Sequence, residues 1–353
     1  MLSAKILEGV RIPEFFSEEG FLSAINFKPK PEDIFVDAFP KSGTNLTHYL
    51  IALILNKGKP FENFDQFMAS SCFIDHEGEV VANRLKSPRI IKSHLPYNKL
   101  PQSEDAKYVY VARNPKDALV SGYHNINAML ENYSTFDDYF KFYFKGELNY
   151  GDPLQHILEW YSHRNDPNIL FITYEEIKQD RKKVVLTIAK FLGNNLEKML
   201  IDNPEIMENI LKYSSIEECR KVLQLEKWMM KQTPENTSKN PYSEQYRFVR
   251  KGIVGDWKNY FNKEQSEYID KKAEEILGET EVYKYWKTRY DDKTVFMPQE
   301  KRRKGTRDKV PRLRWNPWQK HVRSIVKMWH RVKMWYRVKM WHRVKMWHRV
   351  KMW

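Results

Sequence analysis

Cysteine is nearly missing from this chain: Cys72 and Cys219 are the two in 353 residues. So few exclude a small scaffold stapled by disulfides. No cluster of histidine and cysteine stands at ligand spacing either, so no metal site is expected. Long apolar runs are lacking too, since no stretch approaches the roughly 18 residues that a membrane helix requires. The opening Met1-Leu2-Ser3-Ala4-Lys5-Ile6-Leu7-Glu8-Gly9 meets charge before any apolar core forms, unlike a secretory leader. A soluble cytoplasmic protein with no transmembrane anchor is the expectation. Acidic residues are scarce in one region, where residues 301–353 hold 19 Lys and Arg against the single acid Asp308, a charge of +18. The whole chain carries +14, so residues 1–300 stand at −4. The basic balance belongs to the tail and implies no specific nucleic-acid partner for the rest.

What is present is enough length for one large α/β domain. Strand candidates lie near 34–39, 89–92, 107–112 and 168–173, and helix candidates near 45–56, 116–129, 153–164 and 181–192, the last stopped at Gly193. This alternation predicts a P-loop-like, doubly wound parallel sheet with helices on both faces, whose ligands sit at the carboxyl ends of the strands. Residues 1–24 read as a separate N-terminal segment, 25–297 as the domain and 298–353 as an irregular basic extension expected to be disordered. From Val326 onward that extension repeats Val-Lys-Met-Trp-His/Tyr-Arg four times before a partial copy, a period that fits no amphipathic helix. The polar stretch 225–248 reads as a long surface loop or lid.

The segment Phe39-Pro40-Lys41-Ser42-Gly43-Thr44-Asn45 joins the first strand to a helix. Such a turn aims free backbone N–H groups and a helix dipole at whatever lies above it, and Lys41 adds a full charge. That is a phosphate or sulfate site. A nucleoside-triphosphate loop reads G-x-x-x-x-G-K-S/T, and here the lysine comes first and the upstream glycine is missing. Three further segments accompany it: Lys92-Ser93-His94-Leu95-Pro96, then Arg113-Asn114-Pro115-Lys116-Asp117 running on to Ser121, and late in the chain Phe248-Val249-Arg250-Lys251-Gly252-Ile253-Val254-Gly255-Asp256-Trp257-Lys258.

In these four segments the chain resembles the cytosolic sulfotransferase family, whose marks are Y/F-P-K-S-G-T, K-T/S-H-L-P, R-N-x-K-D-x-x-x-S and R-K-G-x-x-G-D-W-K in that order. The resemblance covers about residues 25–290 and implies a sulfotransferase using 3'-phosphoadenosine 5'-phosphosulfate (PAPS), with no metal. It implies His94 as general base, with Lys41 and Lys92 as the cations facing the transferring group. The 5' phosphosulfate would lie on Lys41, Ser42, Gly43, Thr44 and Asn45. The 3' phosphate would lie on Arg113, Ser121, Arg250, Lys251 and Gly252, with Phe248 and Val249 leading into that segment. Tyr174 matches the family's adenine-contacting tyrosine, and Ser214, Ser215 and Ile216, closed by Cys219, fall where its T-S-F segment lies. Leu46 and Ile216 stand where the family usually has tryptophan and phenylalanine, so two aromatic surfaces beside the base are aliphatic here.

The acceptor is less defined. Phe73, Tyr123, Tyr133, Phe136, Tyr139, Phe140 and Tyr143 are candidates for an apolar wall or for core, and a phenol, steroid, alcohol or amine would fit such a wall. The family's dimer segment, K-x-x-x-T-V-x-x-x-E, survives here only at its ends, with Lys258 and Glu267 flanking Asn262 and Lys263. A monomer or weak homodimer is expected, because a lysine at a contact position resists burial. Two other classes stand against the sulfotransferase reading: a nucleotide kinase, which the missing glycine disfavours, and a basic binding module built on the tail, which deletion of 298–353 would separate from catalysis.

Overall fold

The computed structural model describes residues 4–129, 134–223 and 249–290. Tyr133, the whole of the expected lid 225–248 with Phe248, and the repetitive tail lie outside the described residues. The chain opens with an antiparallel hairpin, β1 (Ala4–Leu7) and β2 (Val10–Pro13), followed by a helix over Glu18–Ile25. Five strands then build one parallel sheet: β3 (Ile34–Asp37), β4 (Ser71–Phe73), β5 (Ile90–Ser93), β6 (Lys107–Ala112) and β7 (Ile169–Thr173). Their order across the sheet is β4-β5-β3-β6-β7, which puts β3 at the centre.

Alternation along each strand divides the interior into two layers. Ile34, Val36, Val109 and Val111 point to one face and join the helices Thr44–Leu55, Arg181–Leu192 and Pro204–Tyr213. Phe35, Tyr108 and Tyr110 point to the other and meet the helices Glu18–Ile25, Pro153–Ser162, Lys263–Leu277 and Glu281–Tyr290. Both faces are therefore buried, as the near-continuous apolar strands predict for a parallel sheet. Each fully buried aliphatic or phenyl side chain contributes about 1.5–3 kcal/mol. The aromatic layer is further tied by stacks such as Phe35 on Tyr108 at 4.8 Å and Tyr110 on Trp160 at 5.0 Å.

Local signals set the helix ends. Pro153 stands in the first turn behind Asp152, whose carboxylate accepts from the Leu154 N–H at 2.8 Å. Thr173 and Glu176 form a reciprocal capping box directly after β7. Gly193, at φ 77°, ends the helix Arg181–Leu192 at the residue the sequence marked. Strands β1, β2 and β4 and several helices, Glu18–Ile25, Lys263–Leu277 and Glu281–Tyr290 among them, were not among the sequence candidates. The hairpin and first helix are integral to the domain, since Val10, Ile12, Phe16 and Phe21 are buried and the Tyr150 N–H donates to the Arg11 carbonyl at 2.8 Å. Strands of three or four residues, as in β1, β2 and β4, are too short to display a period. Because β3 feeds one half of the sheet and β6 begins the other, the crevice above their carboxyl ends is the expected ligand site.

Candidate active site

The turn after β3 is built for close approach to an anion. Lys41 adopts φ 71° and Gly43 φ 119° before the helix Thr44–Leu55 begins. Gly43 has a second reason to be glycine, since a Cβ there would lie 2.8 Å from Cδ2 of the Tyr174 ring. Ser42 and Thr44 are buried, and among the described residues the Thr44 hydroxyl has no hydrogen-bond partner. The Lys41 ammonium donates to Oδ1 of Asn125 at 2.9 Å, and that of Lys92 donates to Oδ1 of Asn45 at 3.3 Å. Burial lowers both lysines to about 8, with Arg113 and Arg250 adding repulsion at Lys41. An anion between them would restore their charge.

Arg113 follows β6. Its guanidinium donates to the Lys41 carbonyl at 3.1 Å and to that of Ile253 at 3.3 Å, and lies 4.4 Å over the Tyr174 ring. One arginine thus joins the first turn, the late Arg-Lys-Gly segment and the residue after β7. Ser121 sits on the helix Pro115–Met129 that begins beside Arg113, partly exposed. Arg250 and Lys251 both pair with Asp256, at 2.7 and 2.9 Å. Arg250 Nη1 and Arg113 Nε are buried with no hydrogen-bond partner among the described residues. Unspent guanidinium N–H groups suit a phosphate.

Other motif residues face inward as staples. Asp117 accepts from the N–H groups of Gly255 and Trp257 at 2.7 and 3.0 Å, and burial raises its carboxyl. Lys116 lies 4.1 Å over the Trp257 ring and pairs with Asp270. Glu175, pushed up to about 7 by burial, accepts from Asn114 N–H and Trp286 Nε1, each at 3.0 Å. Arg220, which the sequence reading passed over, donates to the carbonyls of Val249 and Arg250.

Around Tyr174 the adenine residues meet in part. A Cβ on Gly252, at φ 62°, would lie 2.8 Å from Ile216 Cδ1 and 3.7 Å from the Tyr174 hydroxyl. Leu46 packs on the same apolar cluster as Tyr174 and Cys219, whose buried thiol is pushed up to about 12. The two serines serve helix ends: Ser215 caps the helix Ile216–Val222, and the Ser214 hydroxyl accepts from Arg181 at 3.4 Å.

His94 stands just past β5. Its Nδ1 lies 2.6 Å from the Ala38 carbonyl, an acceptor only, so Nδ1 carries the proton and Nε2 keeps a lone pair. Burial pushes the imidazole down to about 3, and His156, Lys92 and Lys41 add to this. Phe73 and Tyr150 flank the ring at 5.3 and 5.5 Å. Phe16 touches Phe73 at 5.8 Å, so the N-terminal segment reaches this wall as well. Of the proposed acceptor wall, Phe73 meets His94, whereas Tyr123, Phe136, Tyr139, Phe140 and Tyr143 cluster in the core, with Phe136 and Phe140 at 5.0 and 5.7 Å from Phe261.

Comparison with known proteins gives this geometry its context. Residues 31–281 match the sulfotransferase domain family. A 3-beta-hydroxysteroid sulfotransferase of Cavia porcellus is 35% identical over 283 residues, covering 77% of this chain and 93% of that protein. Sulfotransferase 2A1 of Homo sapiens is 31% identical, covering 77% and 94%. Among solved structures, mouse sulfotransferase SULT7A1 complexed with PAP is 28% identical with a TM-score of 0.63, covering 81% of this chain and 99% of that one. A retinol dehydratase with androsterone and PAP shares the fold at TM-score 0.64 and 21% identity. With the matched domain spanning most of the chain and the motifs gathered at the carboxyl ends of the central strands, this protein belongs to the PAPS-dependent sulfotransferase family.

Proposed function

We propose that the chain moves a sulfuryl group from PAPS to a hydroxyl or amine of a small, largely apolar acceptor, in line, with His94 as general base. The observation that carries this is the fixed tautomer of His94, whose Nδ1–H is spent on the Ala38 carbonyl and leaves Nε2 as an acceptor. The acceptor proton passes to Nε2 while the acceptor oxygen or nitrogen bonds to sulfur. The bond from sulfur to the phosphate oxygen breaks, and its electron pair stays on that oxygen, facing Lys41 and Lys92. Binding an anionic donor opposes the lysines' effect on His94 and raises its basicity from about 3.

The turn at Lys41, Ser42, Gly43, Thr44 and Asn45 would hold the 5' phosphosulfate. Arg113, Ser121, Arg250, Lys251 and Gly252, approached through Phe248 and Val249, would hold the 3' phosphate. Tyr174, Leu46 and Ile216 would enclose the base, with Ser214, Ser215 and Cys219 shaping that wall from behind. Phe73 and Tyr150 beside His94 favour a planar or steroidal acceptor, and the hydroxysteroid sulfotransferase among the relatives makes a hydroxysteroid the first to try. Lys263 is well exposed and pairs with Glu267 at 3.8 Å, while Asn262 caps that helix, which supports a monomer or weak dimer. No described helix is long and apolar enough to cross a membrane, and a cytoplasmic enzyme is proposed. The test is turnover of radiolabelled PAPS against phenols, hydroxysteroids, alcohols and amines, with and without EDTA. Labelled sulfate ester or sulfamate is expected, unchanged by EDTA. Transfer from ATP in its place would favour a kinase and overturn the reading.

A further inference from the structure

Behind His94 lies a cluster of buried polar groups that the transfer chemistry does not itself employ. Asp75, Ser93, His156 and Asp37 are each 2% exposed or less. Desolvating so many polar groups costs stability unless they are paired, so their arrangement calls for an account. Two of these groups bond the backbone of one residue, His94. The His94 N–H donates to Asp75 Oδ2 at 2.8 Å, and the His94 carbonyl lies 3.1 Å from His156 Nε2. Asp75 Oδ1 accepts from the Ser93 hydroxyl at 2.8 Å, which in turn accepts from the Leu95 N–H at 2.9 Å.

The partners decide the protons. A carbonyl only accepts, so His156 carries its proton on Nε2 and donates to His94. His156 Nδ1 is then the acceptor for the Tyr110 hydroxyl, 2.9 Å away. Burial keeps this imidazole neutral, lowered to about 4. Asp37 Oδ1 lies 3.9 Å from the same Nε2 and has no hydrogen-bond partner among the described residues. Burial and the nearby Asp75 raise the Asp37 carboxyl well above its usual range. At 3.9 Å Asp37 lies beyond hydrogen-bond reach of Nε2, so the His156 proton is directed to the His94 carbonyl.

We propose that His156 and Asp75 are positioning residues for the base: they grip His94 by its carbonyl and its N–H, so that the ring bonded to Ala38 presents Nε2 to the acceptor. They act through His94 and touch no reacting atom. This rests on His94 being the base.

The experiment compares His156→Phe, His156→Gln and Asp75→Asn in the full chain, alone and on a His94→Ala background. It measures kcat, KM for the acceptor, the pH–rate profile and the Kd for PAP. His156→Phe keeps a ring but no donor, and kcat is expected to fall about 10- to 100-fold, the cost of a small misplacement of a catalytic group. The PAP Kd should stay within about 2-fold, because no phosphate contact involves His156. His156→Gln restores an N–H aimed at the carbonyl and should recover most of the loss. Asp75→Asn should lower kcat with the same unchanged Kd, and on the His94→Ala background neither substitution should cost more. Wild-type kcat in His156→Phe or Asp75→Asn with normal PAP binding overturns the inference, and so does full additivity of either with His94→Ala. If His156→Phe does not fold, as loss of PAP binding would reveal, Asp75→Asn decides alone. Wild-type turnover by His94→Ala would overturn the base assignment and this inference with it, and it is distinguishable because that variant is then active.

Discussion

The two ends of the crevice are made in opposite ways. At the proposed phosphate end, between β3 and β6, the structure offers backbone conformation and cations: left-handed Lys41 and Gly43, a helix start, and arginines with unspent N–H groups. At the proposed base end, beside β5, the His94 ring is bonded to the Ala38 carbonyl. Its backbone is held by Asp75 and His156 from the helices Ile74–Ala82 and Pro153–Ser162, with Tyr110 of β6 bonded to His156 in turn. The first is a site of local turns whose geometry is written in consecutive residues. The second is a site of long-range contacts whose members share no motif. A phosphate site tolerates much so long as N–H groups point inward, whereas a general base depends on the direction of one lone pair.

His94→Ala should separate the ends most sharply. It is expected to lower kcat by about 10²- to 10⁴-fold, the usual loss on removing a general base. PAP affinity, read by calorimetry, should barely move. Parallel loss of both would mean that the two ends are one site.

Gly43→Ala tests the other end. At φ 119° and 2.8 Å from the Tyr174 ring, a methyl group forces the turn open. A strain of about 1–3 kcal/mol corresponds to roughly 5- to 150-fold weaker PAP binding. Normal affinity in that variant would show that the anion does not rest on this turn.

A pH series sharpens the comparison. Lys41 and Lys92, lowered to about 8 mainly by burial, are charged below that pH, and an anion binds the charged form. PAP affinity should therefore be level near pH 7 and fall as pH rises through 8, about 10-fold by pH 9 for each lysine that meets the anion. Lys41→Met should bind more weakly at pH 7 and lose part of that slope. A flat profile from pH 7 to 9 would remove the lysines from the phosphate end.

The smallest effect concerns the base of the nucleotide. Leu46→Trp supplies an aromatic face where this chain has an aliphatic one, and PAP should bind about 2- to 10-fold more tightly from a stacking gain of roughly 0.5–1.5 kcal/mol. Weaker binding would place the adenine elsewhere.

What could be read from the chain follows the same division. The sheet strands β3, β5, β6 and β7 lie where apolar runs put them, because a strand buried on both faces needs such a run. Lys41, Gly43, Arg113 and Gly252 were legible because tight turns and close approaches demand particular residues in sequence. Asp75, His156, Tyr110 and Asn125 were not, since their meeting depends on strand order and helix placement rather than on spacing. Asp117 was visible as a motif member, yet its work of fixing Gly255 and Trp257 emerged only from the fold. The aromatics proposed for an acceptor wall fall in two places, Phe73 beside His94 and Phe136 and Phe140 against Phe261, for a related reason. Core and pocket both select aromatics, so composition could not tell Phe73 from Phe136 or Phe140.

The placement of β3 at the middle of the sheet and β4 at its edge also sets an order of local unfolding. β3 is laddered on both sides, whereas β4 holds its neighbour over three residues and leads into a helix interrupted at Gly78, φ 72°. Edge segments with few ladder bonds open at lower free energy than central ones. Fluctuation therefore concentrates on the side that carries Phe73 and spares the strand that carries the phosphate turn. On the assignment proposed above, the nucleotide end would stay shut through many openings of the acceptor end, so that one bound donor would outlast repeated trial encounters with acceptors of different shape.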